Sequence, residues 1–212
     1  AEIERHFAFE EEHIFTYLEA VGDTGIGEHL TSEHAAMRPI GKRVAELTGA
    51  RFVDNHSIAN VIFNVIAPDG VTPLPPTIWP RVGQVRAAVL DTVRNVAPPA
   101  LSYVFTNYIQ GGSATEFAAF EEMVQLAADR DSLFVPVLLR CQTSELMERP
   151  ANESRVERMK LIDPILIAHL NDEIPLFETS HPNTLVLDTT ATSPDDAARA
   201  IVEWAASLRA RA

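Results

Sequence analysis

Apolar residues fall along this chain in two alternating rhythms. In RVGQVRAAVLDTVRNV (residues 81–96), Val82, Val85, Val89 and Val93 recur three to four positions apart, the spacing of one helix face. TEFAAFEEMVQLAADR (115–130) reads as a second amphipathic helix, and IGKRVAELTG (40–49) as a third that ends on a glycine suited to a C-cap. Between them lie short, nearly unbroken apolar runs: ARFVD (50–54), LSYVFTN (101–107), LFVPVLLRC (133–141, with Pro136 a blemish) and NTLVLDTT (183–190). Such runs are what strands look like when both faces are covered. IANVIFNVI (58–66) reads as helical or mixed and is followed by a proline-rich loop, PDGVTPLPPTIWP. SELMERP starts a further helix. SPDDAARAIVEWAASL closes the chain as a helix, with Ser193 at the N-cap and Pro194 at the first helical position. Short apolar strands alternating with helices predict an α/β fold, a parallel sheet flanked by helices.

The first forty residues keep a different rhythm. HIFTYLEAVGDTGIGEHLTSEH (13–34) reads either as strand–loop–helix, with the glycine spacing of a phosphate-binding loop, or as helix–loop–helix, with imidazoles and carboxylates at metal-ligand spacing. Four of the seven histidines lie in residues 1–34, and acidic residues crowd there too. A proline breaks or kinks a helix, so Arg38-Pro39 marks the expected boundary between an N-terminal segment, 1–38, and an α/β domain, 39–212.

Bulk properties narrow the function classes. The length, 212 residues, suits one α/β domain with a small appendage, and 46% hydrophobic against 22% charged residues supports a sizeable core. A net charge of −13 gives no basic footprint for nucleic acid or an anionic membrane surface. It does not exclude a nucleotide, whose phosphates a few local arginines can hold. The single cysteine, Cys141, allows no internal disulfide and suits a reducing compartment. No apolar run reaches transmembrane length, and the N-terminus lacks a basic-then-apolar signal pattern. A cytoplasmic location is the expectation.

From about residue 40 onward, the order of parts resembles the small P-loop kinases, the nucleoside monophosphate and shikimate kinase-like group, and within it an uncharacterised ATP-binding branch. The segments that carry the resemblance are IGKRVAELTGARFVDNH, DGVTPLPPTIW, SYVFTN, FVPVLLRC, RPANESRVERMKLIDP and HPNTLVLDTT, over about 170 residues. The resemblance implies ATP-dependent phosphoryl transfer to a small molecule, with Mg2+. It implies a lid at about 142–164, whose Arg149, Arg155, Arg158 and Lys160 fold over the transferring phosphoryl group and neutralise its charge. Asp54, ending the second strand of such a fold, would bind the acceptor or act as base; alternatively it caps the following helix. Arg81 and Arg86 would hold an anionic acceptor or else lie on the surface, and Asn107 stands where a magnesium-associated acid often sits, without the charge of one.

In this group a G-x-x-x-x-G-K-[ST] loop directly precedes the helix that here begins IGKRVAEL. That place holds TSEHAAMRP, which has neither glycine nor lysine. Upstream, GDTGIGEH brings Gly22 and Gly27 to the right separation, with Gly25 between them, but puts Glu28 at the lysine position and His29 at the hydroxyl position. At an effective dielectric of about 20, like charges about 4 Å apart cost roughly 4 kcal/mol, so Glu28 would oppose the phosphates. The resemblance also makes the first strand central. Its absence would leave a gap between LSYVFTN and LFVPVLLRC, to be filled by HIFTYL, by another chain or by a rearranged sheet, because unpaired backbone groups are costly.

Read as helices, HFAFEEEHIFTYLE and HLTSEHAAMR resemble the middle of a hemerythrin-like, cation-binding domain. That resemblance covers residues 1 to about 38 and implies that His6, Glu10 and His34 are ligands for iron or another divalent metal. A second copy of the chain would complete the site in a homo-oligomer. The leading expectation is a kinase-like small-molecule phosphotransferase, degenerate in its phosphate loop. A non-haem metal-binding protein and an inactive kinase-like scaffold are the alternatives.

Overall fold

The computed structural model describes residues 32–67, 74–107, 109, 111–141 and 177–211. In chain order the elements are α1 (Ser32–Thr48), β1 (Arg51–Asp54), α2 (Asn55–Ile66), a 3-10 turn (Pro76–Ile78), α3 (Trp79–Asn95), β2 (Tyr103–Thr106), α4 (Ala114–Asp129), β3 (Val137–Arg140), β4 (Leu185–Asp188) and α5 (Pro194–Arg209). Each expected strand is present but trimmed. The run 133–141 contributes only its last part to the ladder, because Pro136 has no N–H to give; its carbonyl accepts from Leu185 N–H at 2.9 Å.

Local signals set the helix ends. Ser193 Oγ accepts from Asp196 N–H at 3.1 Å, and Pro194 follows as the first helical residue of α5. Gly49, at φ 73°, ends α1 in the left-handed conformation that glycine adopts without a Cβ penalty. The stretch 58–66 resolves as helix throughout, begun at Asn55 and capped by Asp54.

One expectation is corrected. The helix does not break at Arg38-Pro39: α1 runs through it, with Pro39 inside. A proline in a helix interior costs one backbone hydrogen bond. What offsets it here is the burial of the turns that follow, where Ile40, Val44 and Ala45 are all core residues.

The strands form two parallel pairs. β1 lies beside β2 with Arg51 opposite Tyr103 and Asp54 opposite Thr106; β3 lies beside β4 with Val137 opposite Leu185 and Arg140 opposite Asp188. Among the described residues these are two two-stranded sheets rather than the single sheet expected. One helical layer nevertheless spans both. Ile40 and Val44 of α1 and Ala197, Ala198 and Ile201 of α5 form one core cluster, against which Val104 of β2, Val137 and Leu139 of β3, and Leu185 and Leu187 of β4 pack. Arg43 of α1 fastens the two helices at their edge, donating to Asp195 Oδ1 at 2.6 Å. On the opposite face Leu90 and Val93 of α3 and Met123 and Leu126 of α4 pack against Tyr103, Phe105 and Phe134. The result is a three-layer arrangement, with β2 alternating its side chains between the layers as strand geometry demands. No helix among the described residues is long and apolar enough to cross a membrane.

Candidate functional site

The polar side chains that the core does not absorb collect at the carboxyl ends of β1 and β2. Asp54, the last residue of β1, is 2% exposed. Its Oδ2 accepts from Arg38 Nε at 2.5 Å. Its Oδ1 accepts from His56 N–H at 3.2 Å, which caps α2, and from the Thr106 hydroxyl at 3.3 Å. Thr106 ends β2 and also accepts from Asn55 N–H at 3.3 Å. Of the two sequence alternatives for Asp54, the helix cap is present: one oxygen caps α2 and the other pairs with Arg38.

Burial by itself would raise the Asp54 pKa. The Arg38 hydrogen bond, the His56 N–H and the positive charges of these neighbours outweigh it, so the carboxyl sits below its ordinary value. Such a carboxylate is held charged at neutral pH inside a dry setting, which is costly unless paired and hydrogen-bonded.

Arg38 reaches Asp54 because α1 lies unusually close to the first pair of strands. A Cβ on Gly41, one turn further along, would come within 2.8 Å of the Phe52 ring and 3.1 Å of Thr106 Cγ2. Nothing larger than glycine leaves both neighbours in place there.

Next along the same edge, Arg86 of α3 donates to Asn107 Oδ1 at 2.9 Å and lies 3.5 Å from Glu122 Oε2 of α4. The structure therefore joins two of the expected site residues, Arg86 and Asn107, with Asn107 one residue past Thr106. Arg81 stands apart. It is exposed and five residues earlier on α3, about 140° around the helix from Arg86.

The remaining expected site residues, Gly22, Gly25, Gly27, Arg149, Arg155, Arg158, Lys160, His6 and Glu10, lie outside the described residues. His34 falls in the first turn of α1. Among the described residues no group of three or more His, Cys, Asp or Glu side chains is placed to hold a metal ion. Sequence reading passed over Arg38 and Thr106. The one available signal was a threonine ending an otherwise apolar strand.

No family model matches the chain, and no curated protein matches it. Among solved structures, a gluconokinase from Sinorhizobium meliloti 1021 matches in shape, with a TM-score of 0.52, 15% sequence identity, and coverage of 82% of this chain and 87% of that one. The likeness shows an α/β fold shared with that gluconokinase. The hemerythrin-like reading gains no support from it.

Proposed function

We propose that this protein is an ATP-dependent phosphotransferase of the P-loop-kinase type that phosphorylates a hydroxyl group of a small molecule. The observation that carries the reading is Asp54: a buried carboxylate, held ionised, at the carboxyl edge of a parallel strand pair in a kinase-like fold. In open α/β sheets that edge is where ligands bind.

In this reading Asp54 accepts a hydrogen bond from the acceptor hydroxyl and orients it for in-line attack on the terminal phosphoryl group. Arg86, steadied by Asn107 and Glu122, faces an anionic part of the acceptor, with Arg81 at the rim. Arg149, Arg155 and Arg158 neutralise charge on the transferring group, while Lys160 and the backbone of Gly22, Gly25 and Gly27 hold the nucleotide phosphates. The chain has only two lysines, Lys42 and Lys160, so arginine carries most of the positive charge available to an anionic substrate. When nucleotide binds, Arg38 has a second anion to pair with, and turning toward it frees Asp54 Oδ2 for the acceptor.

Kinases of this fold use Mg2+ with ATP. Without nucleotide both Asp54 oxygens are engaged, one of them by a guanidinium, and Mg2+ usually takes one or two carboxylates besides phosphates and water. None of the steps above runs through the ion.

The test is phosphoryl transfer from ATP to a panel of small hydroxy compounds. Gluconate comes first, because the structural neighbour is named for it. Asp54→Asn should lower kcat by about 10²-fold or more, and Arg155→Ala should abolish transfer. Turnover of no acceptor, or an Asp54→Asn variant as active as the parent, would overturn the reading.

A further inference from the structure

Helices α3 and α4 are joined by two arginine–carboxylate pairs of the same chemistry and different closeness. Near the end of α3, Arg94 Nε donates to Asp129 Oδ2 at 2.7 Å, and the pair is closed. About two turns earlier, Arg86 Nε stands 3.5 Å from Glu122 Oε2, too far for a good hydrogen bond. The guanidinium is drawn instead toward the sheet, where its Nη1 donates to Asn107 Oδ1 at 2.9 Å. Asn107 follows Thr106, whose hydroxyl donates to Asp54. Arg86 thus lies beside the carboxyl ends of β1 and β2, with a neutral side chain in direct contact and a charged one at a short remove. Among the described residues, the bond to Asn107 is the one hydrogen bond its fork makes, and a guanidinium carries five N–H donors. The arginine side chain is 19% exposed and the glutamate 40%, so the cation is covered while its counter-charge reaches solvent.

We propose that Glu122 sets the charge an acceptor can carry at Arg86: it favours a hydroxy acid with a single carboxylate over a phosphate monoester with two negative charges. In the phosphotransferase reading, on which this rests, Arg86 faces the anionic part of the acceptor. The attraction of an anion to that seat grows in proportion to its charge. The cost of taking the anion out of water grows with the square of the charge. A strongly positive seat therefore selects a dianion, and a weakly positive one selects a monoanion. Glu122 makes this seat weakly positive. An anion on the open side of the guanidinium lies about 6 Å from the Glu122 carboxylate, and at an effective dielectric of about 20 to 80 the repulsion weakens binding by roughly 100-fold to 3-fold per unit of charge. Arg81 does not restore the lost charge, being exposed and about 140° around α3 from Arg86. Asn107 orients the guanidinium but adds no charge.

Calorimetric titration of the 212-residue chain with ADP present tests it. At about pH 8 a phosphate monoester is doubly charged, so gluconate is compared with glucose 6-phosphate, and glycerate with glycerol 3-phosphate. The parent should bind each carboxylate more tightly than its phosphate counterpart. Glu122→Gln should tighten both kinds, the dianions more, and raise the phosphate-to-carboxylate affinity ratio by about 3-fold to 100-fold. Asp129→Asn opens the other pair between the same helices and should leave that ratio where it was, which separates a charge filter from a mere helix tie. A parent that prefers the phosphate esters, or binds none of these compounds, overturns the proposal. So does a ratio that Glu122→Gln does not move. If that variant does not fold, the parent's preference decides. ATP turnover on the same preparations reads the phosphotransferase claim separately: a charge preference without transfer sinks that claim alone, and transfer without a charge preference sinks this one.

Discussion

Arg38 Nε lies 2.5 Å from Asp54 Oδ2, and this contact ties the first half of α1 to the carboxyl end of β1. The arginine side chain is 28% exposed and the carboxylate 2%. Asp54 is therefore a charge that the fold has buried and must keep neutralised. That asymmetry governs what each partner's removal should do.

Arg38→Met leaves Asp54 buried without its guanidinium. The variant should lose about 3 kcal/mol of stability, the cost of breaking a buried pair from one side. Urea denaturation measures this. Combining Arg38→Met with Asp54→Asn should cost less than the sum of the single changes, because Asn keeps the helix cap and carries no charge. Strictly additive losses would mean that the pair is not coupled.

Acid should weaken the fold with a sign fixed by Asp54. Its pKa is depressed in the folded chain, so the pair's contribution is fully present above the ordinary aspartate value of about 3.9 and is lost as pH falls through the lower folded value. Asp129, Asp188 and Asp195 are depressed in the same direction by hydrogen bonds to Gln125, Thr190 and Arg199 respectively, and add to the slope. Stability measured from pH 7 to pH 2 should drop below about pH 4, and Asp54→Asn should make that drop shallower. An unchanged slope would show that Asp54 does not titrate as its surroundings require.

Gly41→Val tests the close approach that lets Arg38 reach its partner. The added atoms meet Phe52 and Thr106, and overpacking of this kind costs about 1–3 kcal/mol. The same change should lower activity, because Thr106 also holds Asp54. Thermal melting and turnover on one preparation report both effects.

Arg130 makes the clearest structural prediction away from the site. Its guanidinium donates to the carbonyls of Val93, Ala97 (3.3 Å), Pro98 (2.9 Å) and Leu101 (3.2 Å) and lies over the Tyr103 ring at 5.4 Å. These bonds fasten the end of α3 and the turn after it to the start of β2. Arg130→Met should destabilise by about 2–3 kcal/mol. Arg130→Lys should recover little, since a point charge cannot reproduce a planar fork of donors. Calorimetric melting would show both variants well below the parent.

The elements were legible in the sequence because each was marked locally. The valines of α3 repeat at helical spacing, Ser193 and Pro194 announce α5, and Gly49 ends α1. Pro39 misled, since the rule that proline breaks helices weighs the local hydrogen bond and cannot see the burial of Ile40 and Val44 that outweighs it. Of the candidate site, Asp54 and Asn107 were legible as polar residues at strand ends and Arg86 as a basic residue within a helix. Their partners were not. Arg38 is sixteen positions from Asp54 and Asn107 is twenty-one from Arg86; such pairings exist only once helices have docked on strands, and no periodicity encodes them.

Titration of ATP into the purified 212-residue chain by calorimetry, with Arg38→Met alongside, tests the central claim most directly. A kinase-type phosphotransferase predicts saturable binding in the micromolar range that weakens when Arg38 is removed. An absence of binding heat at millimolar ATP in a folded protein would contradict it and leave a kinase-shaped scaffold with another purpose.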